Sequence, residues 1–325
     1  MVALHVICSL GHVATCDELF SRGVSAGRIR AEIASGVIKR AARGIYICRH
    51  SDADQRVAAS SRAQIDCVSA VRRARVWSGL GFDLHLRRLP HAHPGGAHRA
   101  SRELAAENAL HTNASQVADA SGRPVRVHWT KLRFSDAGQS WLVSPMNAVW
   151  QAIHCLDEEN AIACLESAVH MEYLTIDQVQ EIGRAAPARL QSGIREMEFT
   201  SDSGLETVVR RRLRHAGFSV VAQVHVNGLG DEDLVVDDFV ALETDGEKWH
   251  GADRFQADRD RDLLAEGLGR RTLRLTHKHV MFEWETTLAT IERVVADAKR
   301  ARWQPARLGG RSSARISEIT TGFDS

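Results

Sequence analysis

Three acids in the C-terminal third of the chain, Asp233, Glu243 and Asp245, have the types and spacing best suited to chemistry. The runs that carry them, Asp233-Leu234-Val235-Val236 and Val240-Ala241-Leu242-Glu243-Thr244, read as two β-strands joined by a turn at Asp237-Asp238. Glu243 and Asp245 are two residues apart and therefore share one face of a strand. Asp233 joins them if the connection is a three-residue turn or contains a bulge. Carboxylates crowded in this way repel one another unless they are protonated or bound to a cation. A hard divalent ion, Mg²⁺ or Mn²⁺, with water in its remaining positions is the usual solution. The neighbours Val235, Val236, Val240 and Leu242 are apolar, so the acids are expected on a rigid scaffold and not on a solvated loop.

The elements that must position them follow from the flanking sequence. Ser203-Gly204-Leu205-Glu206 opens a helix that runs to Gly217, with Ser203 as cap and Glu206 in the capping-box position. Phe218 to Val226 reads as a strand, Gly228-Leu229-Gly230 as a bend, Asp258 to Glu266 as a helix, Arg271 to Thr276 as a further strand and Trp284 to Lys299 as a closing helix. Helix, three antiparallel strands, helix, strand and helix give an α/β core over residues 201–300.

Read from Gly228 to His250, this segment resembles the nuclease-like domain related to very-short-patch repair endonucleases, within the PD-(D/E)XK superfamily. The resemblance rests on Gly228 and Gly230, Asp233, Glu243 with Asp245 and Gly246, His250, and the run Asp258-Arg259-Asp260-Arg261-Asp262. It implies a restriction-endonuclease-like fold in which Asp233 and Glu243 ligate Mg²⁺, with Glu206 reaching the same ion directly or through water. The ion would polarise a scissile phosphate and activate an attacking water. By the same resemblance Asp245 belongs to the catalytic set, His250 is a general acid or base, and Arg259 and Arg261 hold backbone phosphates. Simpler readings stand beside these: Glu206 as a capping acid only, His250 as a core histidine, Trp249 as a packed aromatic, and the two arginines in surface ion pairs with Asp258, Asp260 and Asp262. Asp245 also stands where the general superfamily pattern has Lys, with Lys248 nearby, and Asp231-Glu232 adds acid beside Asp233.

The N-terminal segment, residues 1–50, has a different character. Thr15 and Glu18 have capping-box spacing, Ser25 can cap a helix from Ala26 to Ser35 that buries Ile29 and Ile33, and Gly36 ends it. Val37 to Arg40 and Gly44 to Ile47 then form two short strands around a basic turn. Helix, turn, helix and basic hairpin describe a winged helix. The segment resembles the N-terminal domain of AbiEi-type antitoxins, and that resemblance makes Ser25, Arg28, Arg30, Lys39, Arg40 and Arg43 DNA contacts. A winged helix kept for protein contacts, with Arg28 and Arg30 merely solvated, is the alternative.

Residues 51–200 read as a mixed, mainly helical middle region. It has a helix from Ala58 to Val76, strands at Leu84 to Leu89 and Val125 to Lys131, a helix opened by Pro145, and helices from Asn160 to Met171 and Thr175 to Gly183. His91, His93 and His98 have metal-like spacing but lie in a Gly/Pro loop, and His277 and His279 read as surface residues. The six cysteines are scattered without the two-residue spacing of a zinc knuckle, and are expected to be reduced small hydrophobes.

Net charge is only +1, yet residues 1–50 hold seven Lys or Arg against three acids, and Lys299 to Arg315 holds six basic residues and no acid. The segment 301–325 therefore reads as a basic flexible tail. No apolar run is long enough for a membrane span and no signal peptide opens the chain, which suggests a cytoplasmic protein. Together these features suggest a Mg²⁺-dependent DNA endonuclease in repair or defence. A non-enzymatic DNA-binding regulator or type IV antitoxin-like protein that retains the nuclease fold as scaffold is the second reading, and RNA as substrate stays open.

Overall fold

The computed structural model describes residues 1–88, 114–119, 122–226, 230–245 and 271–303. The fold is α+β, with three small sheets among the described residues. None of the described helices is long and apolar enough to cross a membrane.

The first unit has the element order of a winged helix: α1 (Ala3–Ser9), β1 (Val13–Thr15), α2 (Cys16–Ser21), α3 (Ala26–Ala34), β2 (Ile38–Ala42) and β3 (Ile45–Cys48), with sheet order β1-β3-β2. Thr15 and Glu18 close a capping box on α2, and Ser25 Oγ accepts from the Arg28 N–H at the start of α3. Val6, Ile7, Leu19, Ile29 and Ile38 fill the core of this unit. Helix α1, which the sequence did not announce, lacks a side-chain cap of its own. Glu32 of α3 supplies one, accepting the N–H groups of Ala3 at 2.9 Å and Leu4 at 2.8 Å. The unit is seated on the next one at Gly11, where a Cβ would come within 2.7 Å of the Trp141 ring and where φ is +82°. The Trp141 indole N–H donates to the Leu10 carbonyl at 2.8 Å.

The middle unit contains α4 (Ala53–Ser60), β4 (Gln64–Ile65), α5 (Cys67–Arg73), β5 (Leu84–Arg88), β6 (Ala114–Ala118), β7 (Pro124–Trp129), α6 (Pro145–Cys155), α7 (Glu158–His170), α8 (Ile176–Ala185) and α9 (Gln191–Arg195). A four-stranded sheet, β4-β5-β7-β6, with β5 and β7 parallel, lies at its centre and buries Leu84, Leu86, Val125 and Val127. The single helix expected from Ala58 to Val76 is broken in two. Arg62 and Cys67 take left-handed φ values of 51° and 56°, and Ile65 between them leaves the helix to exchange backbone hydrogen bonds with Trp141 and Val143. Tertiary pairing here overrides a local helical preference.

The third unit contains α10 (Gly204–His215), β8 (Val220–Val226), β9 (Gly230–Val236), β10 (Val240–Asp245), β11 (Arg271–Thr276), α12 (His277–Met281) and α13 (Trp284–Trp303). Strand order is β11-β10-β9-β8, antiparallel except for the parallel pair β10–β11. One face of the sheet carries Val220, Leu234, Val236, Val240, Leu242 and Leu275 into a core with Leu205, Val208, Val209 and Leu213 of α10 and Ile291 and Val295 of α13. His277 and His279, expected at the surface, are half-buried and belong to the short helix α12, with Thr276 as its cap. Helix α13 runs past the expected end at Lys299 to Trp303, so residues 301–303, read as the start of a tail, are helical. The expected helix from Asp258 to Glu266, the His91 to His98 loop and the remainder of the basic tail lie outside the described residues.

Helix α10 joins the second and third units through its arginines. Arg210 is fully buried and donates through Nη2 to both carboxylate oxygens of Glu166 on α7, at 2.7 and 2.6 Å, and through Nη1 to Glu198 at 3.0 Å. Arg211 pairs with Glu196 and Glu158, Arg212 with Glu159, and Arg214 with Glu198. Removing one partner of a buried pair strands the other charge away from water. Glu166→Ala is therefore expected to cost about 3–5 kcal/mol, and Glu196→Ala, at a half-exposed acid, less than about 1 kcal/mol, as read from urea denaturation midpoints. Similar losses in the two variants would show that the buried pair does not hold the units together.

Candidate acidic site on the C-terminal sheet

The loop between paired Val236 and Val240 holds three residues, Asp237 to Phe239, with left-handed φ at Asp237 and Asp238. This is the connection that Asp233 requires. The register Val240↔Val236, Ala241↔Val235, Leu242↔Leu234, carried one step further, sets Glu243 across from Asp233. Glu243 is also the Cα partner of Arg274 on β11, and Gln223 on β8 falls opposite Asp233, between the pairs Ala222↔Leu234 and Val224↔Glu232. Gln223, Asp233, Glu243 and Arg274 thus form one row across all four strands, while the alternate residues face the apolar core.

Each acid in the row is held by named donors. Asp233 Oδ2 accepts the Thr244 N–H at 2.8 Å, and Glu243 Oε2 accepts from Arg274 Nε at 2.9 Å. Glu206, on the first turn of α10, accepts through Oε2 from the Asp202 N–H at 2.9 Å and from the Gln223 side-chain amide at 3.1 Å. Its own N–H donates to Ser203 Oγ, so the helix cap expected from the sequence is present and the carboxylate is nevertheless directed elsewhere. Burial first, and the charge of Asp233 second, push the Glu206 carboxyl up to about 7. The structure therefore brings Glu206 and Asp233 within electrostatic reach and Glu243 into line with them.

The other expected site residues fall as follows. Asp245 closes β10 opposite Thr276. His250, Arg259 and Arg261 lie outside the described residues, as do Lys248 and Trp249. Asp231, next to the row, accepts from His225 at 2.7 Å, and Glu232 is buried. In the first unit, Ser25 Oγ is engaged as a cap and Arg28 pairs with the buried Glu32 at 2.6 Å, so both are committed within the protein. Arg30, Lys39, Arg40 and Arg43 are exposed and make no ion pair among the described residues.

Sequence reading passed over Gln223 and Arg274. The alternation in Arg271-Thr272-Leu273-Arg274-Leu275 already puts Arg274 opposite to the apolar face, but nothing local says that β11 lies parallel to β10 in this register. Two Cys/His groups were missed altogether: Cys8, His12, Cys48 and His50, and Cys67, His85, His128 and Cys155. All six cysteines are free thiols and Cys48, Cys67 and Cys164 are buried; Cys164 lies apart from the two groups, and its burial pushes its thiol up to about 12, whereas Cys8, Cys48, Cys67 and Cys155 each lie beside histidines. Neither the protein-family models nor the curated proteins contain a match to this chain.

A carboxyl whose folded pKa is raised favours the folded state fully below its unfolded value, near 4.5, and loses that contribution as pH rises through about 7. The rise corresponds to about 3 kcal/mol against the ionised form. Glu206→Gln, which cannot ionise, is expected to melt close to wild type at pH 5 and several degrees above it at pH 8, in buffer without divalent ions. A difference in melting temperature that stays constant across this range would contradict the assignment.

Proposed function

We propose that the third unit is a divalent-cation-dependent nuclease and that the winged helix delivers it to duplex DNA. The observation that carries this reading is the alignment of Asp233 and Glu243 on neighbouring strands, with Glu206 raised to about 7 partly by the charge of Asp233. The charge of Asp233 acting on Glu206 is repulsion that a hard cation would relieve, which supports Mg²⁺ or Mn²⁺ as the ion. When bound, the ion would supply positive charge against the scissile phosphate. The chain's own part is to hold the acids in place. Thr244 fixes one oxygen of Asp233, Gln223 and Asp202 fix Glu206, and Arg274 orients Glu243 and adds a cation on the face that a phosphate would approach.

The Arg274–Glu243 pair also favours a second reading. A cation already neutralises Glu243 without any metal, as suits a nuclease fold retained as scaffold in a DNA-binding regulator. The two readings separate in one experiment, in which supercoiled plasmid and short duplex DNA and RNA are incubated with Mg²⁺, Mn²⁺ or neither. Metal-dependent cutting that falls to background in Asp233→Asn and Glu243→Ala, with DNA binding unchanged, is the result expected of a nuclease. An intact plasmid with retained binding would leave the regulator.

For the winged helix, replacing Lys39, Arg40 and Arg43 together by Ala is expected to weaken DNA binding about equally for all sequences. The salt dependence should flatten as well, by about 0.9 in log–log slope for each DNA phosphate left without its cation. Arg28→Ala should instead lower thermal stability, because Glu32 then stays buried without its partner. Fluorescence anisotropy over a salt series checks the first expectation and thermal melting the second.

A further inference from the structure

Four side chains from three separate places in the winged helix converge on one point: Cys8 near the end of α1, His12 before β1, Cys48 at the end of β3, and His50 just beyond it. Cys8 Sγ and Cys48 Sγ are 3.7 Å apart; Cys48 Sγ is 3.4 Å from His12 Nδ1 and 3.9 Å from His50 Nδ1; Cys8 Sγ is 3.7 Å from His50 Nδ1. A tetrahedral zinc ion, with Zn–S of about 2.3 Å and Zn–N of about 2.0 Å, sets S···S edges of about 3.8 Å and S···N edges of about 3.5 Å. The four edges given above lie within about 0.4 Å of these lengths. They are too long for a disulfide, whose sulfurs are about 2.0 Å apart, and the S–H group is too weak a donor to explain why four ligand atoms gather here. His12 also adopts a left-handed φ of 75°, unusual for a residue other than Gly, and so turns from α1 into β1 with its ring nitrogen facing Cys48.

We infer that Cys8, His12, Cys48 and His50 form a structural Cys₂His₂ zinc site that ties α1 to the end of the winged-helix hairpin. Thiolate and imidazole select zinc over Mg²⁺, so this ion differs in kind from the one proposed for the acidic row. All four positions come from the protein, which leaves none open for substrate. Cys48 is buried, Cys8 and His12 are half-buried and His50 is exposed, so the ion has a route in from the surface.

A separate set of contacts carries a second site of the same composition inside the middle unit. His85 on β5 and His128 on β7 are buried, with Nδ1 of the first 3.0 Å from Nε2 of the second, and Cys155 Sγ at the end of α6 is 3.8 Å from that same Nε2. Cys67, at the start of α5 and at a left-handed φ of 56°, completes the group; all four ligand atoms lie within 4.8 Å of one another. Gln151 supports the group from outside, its side-chain amide 3.5 Å from His128 Nδ1. This ion would bind α5 and α6 to the central strands.

Both sets lie away from the acidic row, so their metal content is independent of nuclease activity. The test is the zinc content of the full chain, expressed in zinc-supplemented medium and purified without chelator or metal-affinity resin, by inductively coupled plasma mass spectrometry. Two zinc ions per chain are expected in wild type and one each in His50→Ala and Cys155→Ser, variants at the exposed rim of one site and at the more accessible thiol of the other. X-ray absorption at the zinc edge of wild type, which needs no variant to fold, should give equal numbers of sulfur and nitrogen neighbours. One ion in wild type would overturn the site whose variant leaves the content unchanged. Metal-free wild type, four freely reactive thiols, or a Cys8–Cys48 disulfide found by mass spectrometry would overturn the zinc assignment at the positions concerned.

Discussion

The ion pair between Arg210 and Glu166 fixes the relation on which the rest of the C-terminal half depends. A guanidinium with no exposure to water is tolerated only when nearly every donor finds an acceptor, and Glu166 offers both its oxygens while taking further hydrogen bonds from Thr207 Oγ1 and the Glu198 N–H. A shift of α10 by one residue along or around its axis would bring an arginine into apolar surroundings with no carboxylate to meet it. Glu206 lies one turn before Arg210 on the same helix, so its approach to Gln223 and to the charge of Asp233 is set by this pair in the neighbouring unit.

The charges of the molecule are divided by task. The arginines of α10, which in sequence form a basic cluster suited to phosphate, are taken up by five glutamates of the middle region. Asp233 and Glu243 share one row on the face opposite the apolar core. Exposed basic residues collect instead on the β2–β3 hairpin of the first unit, at Lys39, Arg40 and Arg43. A near-neutral net charge thus conceals a basic end and an acidic row that are separated in the fold.

Much of this was legible in the sequence. Caps at Thr15, Ser25 and Ser203 marked helix starts correctly, because a cap is a local hydrogen bond between a side chain and the turn that follows it. The alternation in β9 and β10 placed Asp233 and Glu243 on one face, and only the length of the turn had to be supplied. What could not be read depended on distant partners. The break at Ile65 is made by the segment from Trp141 to Val143, the partner of Glu243 sits on a parallel strand, and the cysteines and histidines that converge come from positions with no recognisable spacing. Local rules describe elements; register between elements, and hence most of the site, is decided by packing.

Gly204, the first residue of α10, stands where a single methyl group would fall 2.5 Å from Trp77 of the middle unit, whose indole N–H is in turn held by Asn160 on α7. Recombination, natural or engineered, that exchanged the C-terminal sheet alone would have to bring Trp77 and α7 with it or rebuild the surface they present. Moved alone, the acidic sheet would carry with it an α10 whose first turn is shaped to the ring of Trp77.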